Sequence, residues 1–263
     1  MKQLILDKFL FLFNNFKGRR GLYLTFLVLP AVFFVPLWQF VVSFFVGRII
    51  ESIYIATYHE YHVHKLLKPR SEFIEFLGYW RLVSGEIQSP FDKVSYHWKH
   101  HEFFDTEKDP TQSKLDLASN PVLYCLDMTP PGAWHNVDPD RIKIVDTRLY
   151  RFFQKYWAHV FLLNIILWLT LTSFWTFVVW FIFPSWAWLC VWKTIDWRTH
   201  KLKRKDTNWQ VLLYGSQCFH QWHHDTYHDS SNSPAELFYG PGIWKWLNID
   251  FYVQKLTFKQ IKE

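Results

Sequence analysis

The stretch YHWKHHEFFDTEKDP, residues 96–110, is the part of the sequence around which the rest of the chain is organised. On a helix, His97, His100 and His101 stand at i, i+3 and i+4, so their imidazoles project from one face. Neutral imidazole is the commonest protein ligand for transition metals. The pattern therefore indicates a metal site, and paired surface histidines are the simpler alternative.

Two other regions carry histidine clusters. Residues 220–224 (HQWHH) repeat the spacing, and residues 59–64 (HEYHVH) form a third cluster upstream. With 13 histidines in the chain, two copies of His-x-x-His-His exceed what chance placement would give. The cysteines form no Cys-x-x-Cys pair, so neither a disulfide framework nor a thiolate zinc site is indicated; they are Cys125, Cys190 and Cys218.

The composition favours a protein that is partly embedded in a membrane. Aromatic residues make up 21% of the chain, including 16 Trp and 26 Phe, which suits lipid-facing and interfacial surfaces. A mean hydropathy of −0.08 indicates a mixed protein rather than a fully embedded one. The net charge of +6 comes from basic residues beside apolar runs, which favours a membrane surface over nucleic acid.

Two long regions lack charged residues, counting histidine as neutral: 21–47, with apolar character continuing to residue 55, and 156–192. A single helix over residues 22–57 would be about 54 Å long, nearly twice a hydrocarbon core of ~30 Å. Each region therefore predicts two spans joined by a tight turn, near Pro36 and near Ser173. The predicted spans are 22–37, 38–57, 157–172 and 175–195.

Several residues inside these spans need a physical explanation. Arg48 and Glu51 would lie in the second span, where charges are expensive unless they pair or face protein. They are three residues apart, so they could pair with each other. Pro30 and Pro36 argue against one long helix, and Pro184 would be a tolerated kink in the fourth span.

The sequence therefore predicts an all-α integral membrane protein with four transmembrane helices in two hairpins. The whole chain, 1–263, would be one domain, with a cytoplasmic helical cap from residues 58–155 and 196–263 that holds a dimetal centre. Because each hairpin returns the chain to its starting side, all histidine clusters and both termini lie on one face. That face carries nearly all Lys and Arg, so the positive-inside rule makes it cytoplasmic. Residues 1–20 predict either a surface amphipathic helix or an ordinary packed helix.

The number of histidines points to two metal ions rather than one. Three clusters plus His200 offer more imidazoles than one ion can use, and about nine ligands suit a pair. A structural zinc site takes four ligands and would leave most of these histidines idle. An imidazole-rich, redox-active pair suits non-haem iron and dioxygen activation.

The clusters His59-x4-His64, His97-x2-His100-His101 and His220-x2-His223-His224 resemble the three histidine boxes of membrane fatty-acid desaturases, specifically the acyl-CoA (delta-9) group. The acidic tail of residues 102–110 is similar to the family's run ending in Asp-Pro, and His200 follows the fourth span as a family ligand does. The resemblance covers roughly residues 20–255. It implies that two iron ions are bound and that O2 is a co-substrate. The implied iron ligands are His59, His64, His97, His100, His101, His200, His220, His223 and His224.

Two further residues are possible ligands or neighbours of ligands. Helical spacing pairs His59 with His62, whereas the family pattern pairs it with His64, so we interpret His62 as a residue that supports a ligand. Asp196 stands where the family usually carries Asn close to one iron. It could bind the metal directly or form a salt bridge with Arg198 or a nearby lysine. The remaining histidines are interpreted as structural or surface residues: His135, His159 and His228.

The resemblance implies O2-dependent desaturation of a long acyl chain, carried as acyl-CoA or linked to a lipid. Lys93 and Lys99 are candidates for binding a phosphate-rich head group. The sequence has no His-Pro-Gly-Gly haem motif, so electrons are expected from a separate donor of the cytochrome b5 or ferredoxin type. Membrane lipid is an expected partner, and nucleic acid is not.

The sequence departs from the family pattern at positions that bear on the substrate and on the type of reaction more than on the metal site. Residues 216–218 (SQC) replace the family's Gly-Glu-Gly, and residues 226–227 (TY) replace its Phe-Pro. A related diiron lipid hydroxylase or ketolase is therefore the first alternative. A non-catalytic membrane protein that binds zinc is the second.

Overall fold

The structure, a computed structural model, describes residues 19–63, 67–69, 71–118, 120–126, 145–203 and 253–255. The described part is helical apart from one short strand pair, which confirms the predicted all-α class. In chain order the helices are α1 (Arg20–Ala31), α2 (Leu37–Tyr54), α3 (Glu72–Arg81), α4 (Pro90–Glu102), α5 (Pro110–Leu117), α6 (Pro121–Cys125), α7 (Arg148–Leu171), α8 (Phe174–Phe177) and α9 (Phe183–Asp196).

Within the described ranges, four helical segments are π-helices that continue the α-helices without a break. They are Ile55–Val63 after α2, Leu82–Glu86 after α3, Val178–Ile182 between α8 and α9, and Trp197–Lys201 after α9. A π-helix carries i→i+5 hydrogen bonds and is frequent at functional sites. The first and last of these segments carry His59 and His200, two of the predicted metal ligands.

The strand pair joins distant parts of the chain. β1 (Leu67–Pro69) and β2 (Val253–Lys255) are antiparallel, with Leu67 opposite Lys255. The sequence did not predict this pair, which ties residues just after the first histidine cluster to the C-terminal region.

The first hairpin turn lies at the predicted place. α1 ends at Ala31, and α2 begins immediately after Pro36. A residue before proline disfavours the α conformation, which explains why the helix does not continue through Val35. The carbonyl of Pro36 then accepts the first hydrogen bond of α2, from the Gln39 N–H at 3.0 Å.

The second hairpin turn is also at its predicted position. Thr172 is extended, and the Ser173 hydroxyl accepts a hydrogen bond from the Thr176 N–H at 3.2 Å, which caps α8. Phe34 of the first turn stacks on Trp175, with ring centroids 4.4 Å apart. The two hairpin tips are therefore neighbours, at one end of the helical bundle.

The two largest clusters of buried side chains in the described part lie within the bundle. One lies near the hairpin tips and contains Val28, Ala31, Phe40, Val178 and Val179. The other lies between α2, α3, α7 and α9 and contains Tyr54, Tyr58, Tyr79, Leu82, Phe153 and Trp188. The second cluster packs beneath the histidines and positions them.

The charges that the sequence places inside the second span face protein. Glu51 forms a buried ion pair with Arg81 of α3, and Arg81 also donates a hydrogen bond to the Ser185 hydroxyl at 3.2 Å. The Arg48 guanidinium lies over the Trp188 ring, 4.8 Å from its centroid. Both charges thus have protein contacts, as the cost of burying them requires.

Among the described residues, one helix is long and apolar enough to cross a membrane by length and composition. This helix, Phe174–Lys201, has a mean hydropathy of 1.6 over its most apolar window, of which 39% is buried. It combines α8, α9 and their π segments, and Pro184 lies in the first turn of α9. Helix α1 is apolar but shorter.

Candidate metal centre

Three histidines from two segments converge on one point. The ligand atoms of His59, His97 and His101 all lie within 4.8 Å of one another, and the Nε2 atoms of His97 and His101 are 2.9 Å apart. With metal–nitrogen bonds of about 2.0–2.1 Å, two imidazoles on one ion have their nitrogens roughly 3 Å apart. The spacing of these side chains therefore suits a shared metal ion.

Local sequence explains why α4 presents its histidines here. The Ser89 hydroxyl accepts a hydrogen bond from the Asp92 N–H at 3.2 Å, and Pro90 occupies the first turn, so the helix has a well-capped start. Val94 and His97 lie on the buried side of this helix. Because the buried side of α4 packs on the core, that packing also fixes the position of the histidines on the same side.

A second pair of histidines lies beside the first group. The rings of His100 and His200 lie at 73° to each other, with centroids 5.0 Å apart, and each residue is 2% exposed. The His100 Nδ1 lies 2.9 Å from Asp109 Oδ1, and the His200 Nδ1 lies 2.8 Å from Asp105 Oδ1. An imidazole whose Nδ1–H is bound by a carboxylate offers its Nε2 atom to a metal and has a fixed ring orientation.

The two carboxylates belong to the turn that links α4 to α5. Asp109 is fully buried, and besides His100 it accepts hydrogen bonds from the Thr111 N–H at 2.7 Å and the Asp105 N–H at 3.1 Å. Burial acts to raise the pKa of Asp105, but hydrogen bonds with His200 and Lys203 outweigh it and hold that pKa below its ordinary value. Asp105 therefore remains ionised as the partner of His200.

No protein-family model, curated protein or solved structure matches this chain. The function must therefore be argued from the site itself. Its donors are imidazoles in two adjacent groups, and two of them are anchored by carboxylates. Such a set fits a pair of imidazole-preferring ions such as iron or zinc, and it does not resemble the oxygen-rich sites of calcium or magnesium.

His62 lies among tyrosines. The Tyr79 hydroxyl forms a hydrogen bond with the His62 Nε2, and the His62 ring centroid is 5.9 Å from that of Tyr150. The neighbouring histidine of the same π-helix, His59, contacts His97 instead, with centroids 4.5 Å apart. A role for His62 in supporting the metal ligands stays a prediction.

Asp196 ends α9 one turn before His200 and is buried. The Tyr124 hydroxyl of α6 donates a hydrogen bond to its Oδ2 at 3.2 Å, and the Lys193 ammonium lies over the Tyr124 ring, 4.1 Å from the centroid. The choice between metal ligand and ion-pair partner for Asp196 stays open.

The two candidate head-group lysines differ in their surroundings. Lys93 is mostly buried, and its ammonium lies 3.5 Å from Glu86 Oε2. Lys99 is half-buried on α4, between the ligands His97 and His100. Contact of either lysine with a substrate stays a prediction.

Several predicted site residues lie outside the described residues, namely His64, His220, His223 and His224, as do His135 and His228. His159 is exposed on α7, as expected of a surface residue. Sequence reasoning did not assign partners to Asp105 and Asp109. The available signal was the pair of Asp residues four and eight positions after His101, close enough for a turn to bring them back to the helix end.

Proposed function

We propose that this protein is an O2-dependent desaturase that introduces a double bond into a long acyl chain at a histidine-bound diiron centre. The observation that carries the proposal is the convergence of five histidines from three separate segments. His59, His97 and His101 form one group, and His100 with His200 forms the other. Two adjacent groups of imidazoles are what a pair of ions requires.

The two groups divide the proposed ligands between two ions. His59, His97 and His101 would hold one ion, and His100 and His200 would contribute to the other, with the remaining predicted ligands supplied by His64 and the third cluster. Two bound iron ions supply the activation of O2 that removal of hydrogen from an unactivated methylene needs.

The protein's own side chains contribute orientation and exclusion of water. Asp109 and Asp105 would accept hydrogen bonds from the Nδ1 atoms of His100 and His200, which orients the two rings and leaves their Nε2 atoms available to a metal. His97 is 2% exposed, and the packed rings of Tyr58 and Trp192 lie against it. Such packing would exclude water from the site.

A multi-pass membrane topology with four spans is part of the proposal. The hairpins formed by α1–α2 and α7–α9 share one end, and their outer surfaces expose large apolar side chains that water would disfavour. Those on α1, α2 and their turn include Phe26, Leu29, Phe33, Phe34, Leu37, Trp38, Val41 and Phe45; those on α7 include Leu162, Leu163, Ile166, Leu167 and Leu171. A continuous apolar surface of this kind supports contact with lipid.

The proposed partners follow from this arrangement. The histidines lie at the end of the bundle opposite the hairpin tips, on the side that carries most Lys and Arg, which we assign to the cytoplasm. An acyl chain, as acyl-CoA or linked to a lipid, would enter from the membrane. Electrons would come from a separate donor of the cytochrome b5 or ferredoxin type.

The proposal is tested by lipid analysis. The protein is expressed in a host with a suitable electron donor, beside His100→Ala and beside His159→Ala, an exposed histidine outside the site. New unsaturated chains with wild type and His159→Ala, absent with His100→Ala, are the expected result. Hydroxylated or keto lipids instead would establish the hydroxylase or ketolase alternative. Purified protein that binds zinc and not iron would overturn the diiron proposal.

A further inference from the structure

Lys93 occupies an unusual position for a charged side chain. It lies on α4 one turn before His97, so both side chains project from the same helical face. Its side chain is 13% exposed, and its ammonium lies 5.2 Å from the Tyr58 ring centroid and 5.7 Å from that of Trp192. Cation–π contacts with these two rings, and with the Tyr54 ring at 6.0 Å, hold a desolvated ammonium in place.

The same two rings touch the metal ligands. The Tyr58 ring centroid is 6.1 Å from that of His97 and 5.8 Å from that of His59. The Trp192 ring centroid is 6.2 Å from that of His97. A single layer of aromatic side chains therefore separates the Lys93 ammonium from the histidine group.

The counter-charge of Lys93 is shared with other cations. Its ion-pair partner is Glu86, whose carboxylate also accepts a hydrogen bond from Arg20 at 3.2 Å. Burial acts to raise the pKa of Glu86, but Lys93, Arg20 and Arg81 together lower it to about 2. Lys93 therefore shares the Glu86 carboxylate with Arg20, and the neighbouring carboxylate of Glu51 forms its ion pair with Arg81, so the positive charge of Lys93 is incompletely balanced.

We propose that Lys93 is a positioning residue that sets the metal affinity and the reduction potential of the histidine-bound metal centre through its fixed positive charge. The inference rests on the proposed metal site. A buried cation near a bound metal disfavours the metal, and it disfavours the oxidised ion more than the reduced one because the oxidised ion carries more charge. Lys93 therefore biases the centre towards the reduced state, in which it meets O2.

The test measures metal affinity and potential rather than activity. In purified protein, Co²⁺ binding is titrated by absorbance, and the midpoint potential of the iron-loaded protein is measured by redox titration. Lys93→Met is expected to bind Co²⁺ roughly tenfold more tightly, by a charge effect of that order. A tenfold bias towards the oxidised ion lowers the potential by about 59 mV for a one-electron couple.

Two controls separate charge from structure. Lys93→Arg keeps the charge and is expected to retain the wild-type affinity and potential. Lys108→Met removes an exposed charge of the cap, which solvent screens, and is expected to change neither quantity.

A variant that removes the negative charge beside Lys93 should shift the potential and the Co²⁺ affinity in the opposite directions. Glu86→Gln removes the anion that offsets Lys93, so the potential is expected to rise and Co²⁺ affinity to fall. A merely structural role for the pair would move both variants in the same direction, and that result, or no shift in either variant, would overturn the inference. A wild-type protein that binds no metal would overturn the proposed function itself, whereas metal binding without these shifts overturns only the role of Lys93.

Discussion

Asp109 links His100 to the turn that joins α4 to α5. Its Oδ1 binds the His100 ring and the first turn of α5, while its Oδ2 binds the backbone of the turn between α4 and α5. The side chain is fully buried, so water cannot replace these contacts if the carboxylate is lost. The acidic tail of the sequence motif thus fixes both the His100 ring and the turn after α4.

Asp109→Asn is expected to weaken metal binding. The amide keeps the size of the side chain but cannot accept the His100 Nδ1–H as a charged partner, so affinity should fall roughly 10–100-fold. Co²⁺ titration of the purified protein measures the change. Asp116→Asn is the matched control, because Asp116 is exposed and pairs with Lys201 on the surface. Equal affinities of the two variants would contradict the assigned role.

Glu86 gives a prediction for pH dependence. Its pKa is lowered from 4.5 to about 2, because the attraction of Lys93, Arg20 and Arg81 outweighs the opposing effect of burial. A carboxyl group with a depressed folded-state pKa stabilises the fold fully above its unfolded pKa, and it loses that contribution as the pH falls through the folded value. Between pH 4.5 and about 2, wild type is therefore expected to lose stability more steeply than Glu86→Gln. Denaturant unfolding of both proteins across that range, at fixed detergent, measures it; parallel slopes would contradict the prediction.

At the scale of elements, the contact between α3 and the first π-helix positions His59. A Cβ placed on Gly78 of α3 would overlap the Thr57 side chain, which is itself fully buried two residues before His59. The two helices can approach this closely because position 78 has no side chain.

Gly78→Ala is therefore expected to push α3 away from the π-helix. Overpacking of this kind costs typically about 1–3 kcal/mol of stability, and the shift of His59 should lower metal affinity as well. Thermal unfolding and Co²⁺ titration measure the two effects. Phe76→Ala, on the exposed side of the same helix, is the control and should leave metal affinity unchanged. Wild-type behaviour of Gly78→Ala would mean that the contact does not position the ligand.

The sequence predicted those elements whose causes are local. The helix break at Pro36 and the turn at Ser173 follow from neighbouring residues, and so does the shared face of His97 and His101 on α4. The π-helices were not predicted, because an extra residue in a helical turn is stabilised by tertiary packing rather than by a local signal.

Partners that are distant in the chain were also missed. The i, i+3 spacing suggested Arg48 as a partner of Glu51, but it gave no sign of the ion pair that Glu51 forms with Arg81, on another helix. The partner of Lys93 is likewise Glu86 of the preceding element. Which charges meet depends on how α2, α3 and α4 pack, and periodicity in one segment carries no information about that packing.

At the scale of the whole molecule, the meeting of His59, the α4 histidines and His200 was predictable because it follows from connectivity, whereas the third cluster lies outside the described residues. Two hairpins with neighbouring tips return the chain to one end, and Phe34 stacked on Trp175 places the tips together. The pairing of β1 with β2 was not predictable, since it links segments nearly two hundred residues apart with no motif in either.

The number of membrane crossings can be measured by labelling cysteines placed at the two hairpin tips and on the cap. In a background without the native cysteines, single cysteines replace Phe33 and Leu171, which are exposed at the two hairpin tips, and Lys108, which is exposed on the cap. If both hairpins cross the membrane, a membrane-impermeant maleimide added to intact cells should label the two tips, and it should label position 108 only after permeabilisation. If Phe174–Lys201 is instead the single crossing, position 33 should be labelled together with position 108. Because metal binding by the purified protein does not depend on which pattern appears, this experiment tests the four-span arrangement separately from the metal centre.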